Sequence, residues 1–217
     1  MTTRNVAIAG ATGLVGQQLL AQLLADERVA RVTALVRRPL LITSEKLIGR
    51  VVDFSGDLEE HVPKDLDDAY CALGTTMKVA GSREAFIAVD KTAVLAFARA
   101  CRARGARRFL LVTSVGADAR SMTFYLRVKG ETEEAVRALG FDAVHVMRPS
   151  FLDGKRVDSR PGEKIGLALF RVLKPVLGNY GPIDVGVVAR AMIRAAYSDR
   201  FGNFVHDNRA IESLASG

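Results

Sequence analysis

The stretch Asn5-Val-Ala-Ile-Ala-Gly10-Ala-Thr-Gly-Leu-Val-Gly16 decides the fold. Residues 5–9 form a short apolar run that reads as a strand. Leu14, Val15, Leu19, Leu20, Leu23 and Leu24 then recur at helical spacing, which predicts a helix over 14–26. Between them stand Gly10, Gly13 and Gly16. The first glycine allows a tight turn, and the second lets the backbone approach a bound pyrophosphate. The third permits close helix–sheet packing, while the helix N-terminus attracts negative charge. Three glycines alone would serve any strand-to-helix turn. Their place between a strand and a helix is what points to a dinucleotide.

Outward from this unit, strands and helices keep alternating. Residues 32–36, 50–52, 69–73, 109–113 and 143–147 read as strands, with helices over 82–104 and 122–139. The run 109–113 is apolar up to its final Thr instead of alternating, as in a strand covered on both faces. The pattern predicts an α/β fold, a Rossmann-type doubly wound parallel sheet with right-handed crossovers. After Arg148-Pro149 the character changes. Residues 153–163 are polar, with Gly154, Pro161 and Gly162, and read as a loop. Helical patterns over 164–177 and 185–197 follow, then a short strand at 203–206 and a final helix turn. So few residues build an independent core poorly. The expectation is one domain over 1–217, with 150–217 contributing a small substrate-side cap.

The 217 residues are 49% hydrophobic and 25% charged, the profile of a packed rather than a disordered chain. Residues 1–5 hold no apolar run for a signal peptide. The longest candidate span, 165–177, is broken by Arg171, Lys174 and Pro175, so no membrane insertion is expected. Cys71 and Cys101 lack any C-x-x-C spacing and read as reduced thiols of a cytoplasmic protein, with no metal. The net charge of +7 raises the question of nucleic acid. Its densest cluster, Arg102, Arg104, Arg107 and Arg108, has only Phe109 beside it and no stacking platform, so it reads as a solvated edge and no nucleic-acid partner is expected. Helix 82–104 is apolar on most faces (Phe86, Ile87, Val89, Val94, Leu95, Phe97), which fits either a homodimer seam or burial under the cap. His145, inside a strand pattern, reads as a buried imidazole.

In the NAD version of the glycine loop, an acid about 20 residues on grips the ribose. Here the second strand ends in Arg37-Arg38-Pro39 with no carboxylate. A guanidinium matches a phosphate in charge and fork geometry, so NADP (NADPH) is expected over NAD. The plainer reading is that both arginines solvate a strand end. Asp53, next to Phe54, is either a hydrogen-bond acceptor for the adenine or a turn residue.

Tyr125 and Lys129 are four apart on the helix over 122–139 and share a face. Ser114 lies just past the end of strand 109–113, where doubly wound sheets bind ligands. A free phenol holds its proton until about pH 10, and a neighbouring ammonium favours the phenolate. Ser114 would hydrogen-bond a substrate oxygen, and Tyr125 would exchange the proton as hydride passes between a nicotinamide and a carbonyl carbon. The alternatives are a turn-capping Ser114, a surface Tyr125, and a Lys129 paired with Glu133 at i,i+4.

With these residues in place, the chain resembles the short-chain dehydrogenase/reductase superfamily, in its atypical branch with a Gly-x-x-Gly-x-x-Gly loop. More narrowly it is similar to the Tat-interacting-protein oxidoreductase-like group. The narrower likeness rests on Cys71-Ala-Leu-Gly-Thr-Thr76, Thr113-Ser-Val-Gly-Ala-Asp118, Tyr125-Leu-Arg-Val-Lys-Gly-Glu131, Arg148-Pro-Ser-Phe151 and Ser159-Arg-Pro-Gly-Glu163. The resemblance implies catalytic Ser114, Tyr125 and Lys129. It implies a cofactor lined by Gly10, Thr12, Gly13, Leu14, Val15, Gly16, Arg37, Arg38, Asp53, Phe54, Leu73, Gly74, Thr75, Lys129 and Pro149. Many superfamily members carry an Asn about 24 residues before the Ser to build a proton relay; here that position is Asp90. The expected activity is an NADPH-dependent reductase of a small carbonyl compound. Phe151, Leu152 and Phe170 suggest a partly apolar substrate pocket. The rival, from another class, is a cofactor sensor that binds NADPH, engages a protein partner and turns nothing over. The intact Ser114/Tyr125/Lys129 set favours the enzyme, and Asp90 and the short cap favour the sensor.

Overall fold

The computed structural model of the chain describes residues 3–153 and 181–217. Seven strands form one parallel sheet: β1 (Arg4–Ala9), β2 (Val29–Val36), β3 (Leu47–Val51), β4 (Asp68–Cys71), β5 (Arg108–Val112), β6 (Ala143–Met147) and a C-terminal strand, Gly202–His206. Their order is β3-β2-β1-β4-β5-β6 and then the C-terminal strand. The chain therefore leaves β1 in one direction to build β2 and β3. It returns across β1 to β4 to build the other half, so a topological switch point lies between β1 and β4.

Helices cover both faces, as the apolar runs require. On one face α1 (Leu14–Ala25) buries Val15, Leu19, Leu20 and Leu23 against Val6, Ile8 and Val32. On the other, a long helical stretch begins as Arg83–Ile87, passes through a π-helical turn at Ala88–Ala93 and ends as Val94–Ala103. It packs Phe97 on Phe109, with ring centroids 6.0 Å apart. The single helix expected over 82–104 is thus interrupted by a wider turn, for which no Gly or Pro gives warning. Its apolar faces, which left a dimer seam open, are largely consumed within the chain: Phe86, Val94, Leu95 and Phe97 are buried. The helix Phe124–Arg137, which carries Tyr125 and Lys129, completes that layer.

The described residues of the part expected as a cap pack on the core. Val185–Ala196 packs on α1 and buries Val188, Met192 and Ile193 in the same cluster as Leu19 and Leu23. Gly202–His206 pairs with β6 in parallel register, His145 beside Phe204 and Met147 beside His206. The final helix, Asn208–Ser216, is longer than the single turn expected. Residues 181–217 therefore extend the main sheet and its cover, because β6 offered an open edge that a short strand can complete. Only the two-residue strands Leu152–Asp153 and Ile183–Asp184, paired in parallel, stand off the main sheet among the described residues. The loop expected over 153–163, apart from Asp153, the helix expected over 164–177 and Phe170 lie outside the described residues.

Each arginine of the basic cluster has a partner within the chain, although Arg102 and Arg107 stay exposed. Arg102 Nε donates to the Gly140 carbonyl, and Arg104 Nε to that of Glu59. Arg107 pairs with Asp142 at 2.7 Å and Arg108 approaches Asp68 at 3.7 Å. His145 is buried, as expected, with an unforeseen partner: its Nδ1 lies 3.0 Å from Nε2 of His206. Burial, followed by the neighbouring His206, pushes His145 down to about 4.

Candidate functional site

The glycine loop sits at the switch point and is built as the residue types require. Gly10 has φ +87, and a side chain there would stand 2.5 Å from the backbone of Ala72, at the end of β4. A Cβ on Gly16 would lie 1.9 Å from the Gly10 carbonyl oxygen, so α1 leans directly on the loop. Gly13 is gentler: its Cβ would meet the same oxygen at 3.3 Å. No side chain caps the N-terminus of α1, and its first turn carries no acid. Leu14 and Val15 turn their side chains into the core, while Thr12 is exposed. An uncapped twelve-residue helix behind a loop bounded by glycines fits a bound pyrophosphate.

Arg37 and Arg38 follow β2 and are exposed, with no ion pair among the described residues. Asp53 is also exposed, but both its carboxylate oxygens are engaged. They accept from Ser55 N at 2.9 Å and Ser55 Oγ at 2.8 Å. These bonds, the backbone one first, hold its carboxyl below the usual carboxylate range. The turn-residue alternative accounts for this geometry; Phe54 beside it is buried against the β2–β4 side of the core.

From the glycine loop the site continues without a gap. The Cβ position of Gly10 is 2.7 Å from Leu73 N, which leads into Gly74 and Thr75. A side chain on Gly74 would lie 3.4 Å from Lys129 Nζ and 3.5 Å from Asp90 Oδ1. Lys129 is 4% exposed and pairs with Asp90 Oδ1 at 2.6 Å, not with Glu133. Asp90 Oδ2 accepts from Thr75 N at 2.8 Å. Burial alone would depress Lys129, but the Asp90 carboxylate outweighs it and holds the ammonium above the ordinary lysine range.

Tyr125 stands one helical turn before Lys129, whose Nζ is 5.9 Å from its ring centroid. The ring is held by Phe86, 5.3 Å away between centroids, in an apolar cluster with Leu126 and Val128. Val115, Met77 and Phe151 pack against this cluster, bringing the segment after β5 to the face of the Tyr125 helix. Ser114 is buried, and among the described residues its hydroxyl makes only a long 3.3 Å bond to the Val115 carbonyl. The Tyr125 hydroxyl takes no hydrogen-bond partner among the described residues. Gly130 explains how the two segments meet: a Cβ there would stand 2.1 Å from Ala119 N, so only glycine lets the loop rest on the helix. Pro149 is buried and its carbonyl accepts from Val115 N at 3.0 Å.

Two features were missed from the sequence. Glu133, fully buried, accepts from Thr113 Oγ1 at 2.7 Å, from Arg137 at 2.8 Å and from Arg148 at 2.6 and 2.9 Å. It ties the Tyr125 helix to the ends of β5 and β6, and so fixes Ser114 relative to Tyr125. Asp90 as the counter-ion of Lys129 was the second; its seat on the π-helical turn leaves no periodic mark.

The model of the family described as NAD(P)H-binding matches residues 10–169. Protein HTATIP2 of Rattus norvegicus is 36% identical over 99% of this chain and 90% of its own length. Protein fmp52, mitochondrial, of Aspergillus niger is 36% identical over 88% of this chain and 86% of its own. Among solved structures, MoeE5 in complex with UDP-glucuronic acid and NAD superposes with a TM-score of 0.74 at 21% identity, covering 94% of this chain and 75% of that one. The Thermus thermophilus UDP-glucose 4-epimerase complex with NAD gives 0.70 at 19%, covering 98% and 81%. At such identities these two bear on the fold alone. The glycine loop, the sheet order and the full-length relatives agree: the chain belongs to the NAD(P)H-binding family, as an oxidoreductase-like domain of the atypical short-chain dehydrogenase/reductase type.

Proposed function

We propose that the protein is an NADPH-dependent reductase of a small, partly apolar carbonyl compound, acting in the cytoplasm. One observation carries the reading: Tyr125 offers a hydroxyl with no partner among the described residues beside a buried ammonium, within the same contiguous site as the glycine loop. When bound, the reduced nicotinamide supplies a hydride to the carbonyl carbon. The chain's own residues do the rest. Gly10 and Gly16 let the loop close on Ala72 and on α1, Gly13 leaves room for the pyrophosphate, and Arg37 and Arg38 meet the 2′-phosphate. Ser114 exchanges its weak bond to the Val115 carbonyl for one to the substrate oxygen. Tyr125 gives its proton to that oxygen as negative charge develops there. Lys129, at the edge of the Gly74 turn, would hold the nicotinamide ribose. Met77, Phe86, Phe124 and Val115 around Tyr125 are all apolar, which suits a substrate with hydrocarbon next to its carbonyl.

The test is loss of NADPH absorbance with a panel of ketones and aldehydes, run beside Tyr125→Phe. Consumption well above that control is the expected result. Tight NADPH binding with no consumption above it would overturn the reading and support a cofactor sensor acting through a protein partner.

A further inference from the structure

The position where the resembled superfamily often has Asn holds Asp90, whose side chain is fully buried. Two elements converge on it, the Tyr125 helix and the Leu73–Thr75 turn. Its Oδ1 takes the Lys129 ammonium at 2.6 Å, and its Oδ2 takes the Thr75 amide at 2.8 Å. Its backbone carbonyl takes the Thr132 hydroxyl at 3.0 Å. The π-helical turn over Ala88–Ala93 puts the residue there, and such turns are common where a helix serves a site. Gly74 lies against the pair: a Cβ there would stand in ordinary contact with both Lys129 Nζ, at 3.4 Å, and Asp90 Oδ1, at 3.5 Å.

We propose that Asp90 is a positioning residue: its carboxylate fixes Lys129 as an ammonium between the Leu73–Thr75 turn and Tyr125, and ties that turn to the pair. The role rests on the reading of Tyr125 and Lys129 as the proton-transfer pair, and replaces a relay by a counter-ion. An Asn here would still accept from Thr75 N but would carry no charge. An ammonium in so dry a place stands only with a partner, because desolvation penalises its charge. At physiological pH the other titratable groups facing Lys129 bring no negative charge: Cys71, on β4 beneath it, is pushed up to about 12 by burial and is a neutral thiol, and the Tyr125 hydroxyl adds to the hold on the ammonium only once it has lost its proton. The neighbouring Lys91–Glu131 pair, at 2.6 Å, is closed on itself. Asp90 is therefore the counter-ion that matters.

The experiment is a pH titration of the full chain without cofactor, carrying lysines labelled with carbon-13 at Cε, the Lys129 signal being assigned by its loss in Lys129→Met. In the native chain Lys129 should stay charged beyond the range, near pH 10.4, where exposed lysines titrate. In Asp90→Asn its midpoint should fall about one pH unit or more below theirs, a tenfold change in its ionisation. Asp90→Glu should restore the charge, which a merely space-filling role would not require. Lys129 titrating with the exposed lysines in the native chain overturns the proposal, even where Asp90→Asn does not fold. An unshifted Lys129 in a folded Asp90→Asn overturns it equally. The titration needs no turnover, so a chain that consumes no NADPH can still pass, and an active reductase can still fail.

Discussion

The two ends of the same sheet are built to opposite rules. At the N-terminal end of the strands, charges are closed off. Arg4 meets Asp68 at 2.9 Å, Arg28 meets Asp26 at 2.6 Å and Arg107 meets Asp142 at 2.7 Å. The Tyr197 ring lies between the guanidiniums of Arg4 and Arg28, 4.0 and 3.8 Å from its centroid. At the C-terminal end, the helix N-terminus of α1 is uncapped, and Arg37, Arg38 and the Tyr125 hydroxyl are unpaired among the described residues. The closed pairs there, Asp90 with Lys129 and Glu133 with Arg148, hold elements in place beside the open groups. One end uses its polar groups to hold the fold, and the other leaves several of them without a partner among the described residues. Substitutions at the two ends should then separate stability from function.

The largest effect is expected at the open end. Tyr125→Phe keeps the ring and its 5.3 Å contact with Phe86 and removes only the proton donor. Turnover should fall by about 10² to 10⁴, the usual reach of general acid catalysis, with NADPH affinity within about twofold by calorimetry. A large loss of affinity would mean that the hydroxyl serves binding instead.

At the closed end, Asp68→Ala should do the reverse. Burial pushes the Asp68 carboxyl up, while Arg4 and then Arg108 pull it down. Removing it leaves Arg4 and Arg108, both mostly covered, without their carboxylate. Breaking such a pair should cost about 3 kcal/mol in denaturant titration and leave NADPH affinity unchanged. The exposed Arg107–Asp142 pair should contribute well under about 1 kcal/mol. If Asp68→Ala is as stable as the native chain, the closed end holds less of the fold than its distances suggest.

Gly13→Val comes next, and it separates two glycines of one loop. At Gly13 the nearest atom to a Cβ is 3.3 Å away, whereas at Gly16 it is 1.9 Å. Gly13→Val should therefore fold, with a melting temperature within a few degrees of native. It should lose roughly a hundredfold in NADPH affinity, about 2.7 kcal/mol, since the new side chain stands where the phosphates approach. Gly16→Val should damage the fold itself. Native thermal stabilisation by NADPH in Gly13→Val would place the phosphates elsewhere.

These contrasts follow the line between what is legible in the sequence and what is not. The β1–loop–α1 unit is plain because its signals are local: glycine spacing, a strand before it and leucines at helical spacing after it. That Tyr125 and Lys129 share one helix face is legible for the same reason. The pairing of the C-terminal strand is not legible, because it depends on the open edge of β6, distant in sequence. The same distance hides the partners of the buried charges. Glu133 offers itself to Lys129 at i,i+4, yet it turns to Arg148 and Thr113, while Lys129 crosses to Asp90. Side-chain spacing on one helix cannot show a carboxylate supplied by another.

The smallest expected effect bears on the choice of cofactor, and it tests whether the open end is open for a reason. Arg37 and Arg38 are exposed at the end of β2, and no acid stands there to grip a ribose. A 2′-phosphate would gain charge-assisted hydrogen bonds from either guanidinium. Exposure limits the gain, because water and salt screen the pair. We therefore expect about a tenfold preference for NADPH over NADH, equivalent to about 1.4 kcal/mol. An Arg37→Ala/Arg38→Ala double variant should erase it by weakening NADPH while leaving NADH nearly untouched, with no change in melting temperature. Raising the salt should shrink the native preference in the same direction, since the contact is electrostatic. Equal native affinities for the two cofactors, or a double variant that keeps the preference, would make the arginines a solvated strand end and leave the open end without its charge recognition.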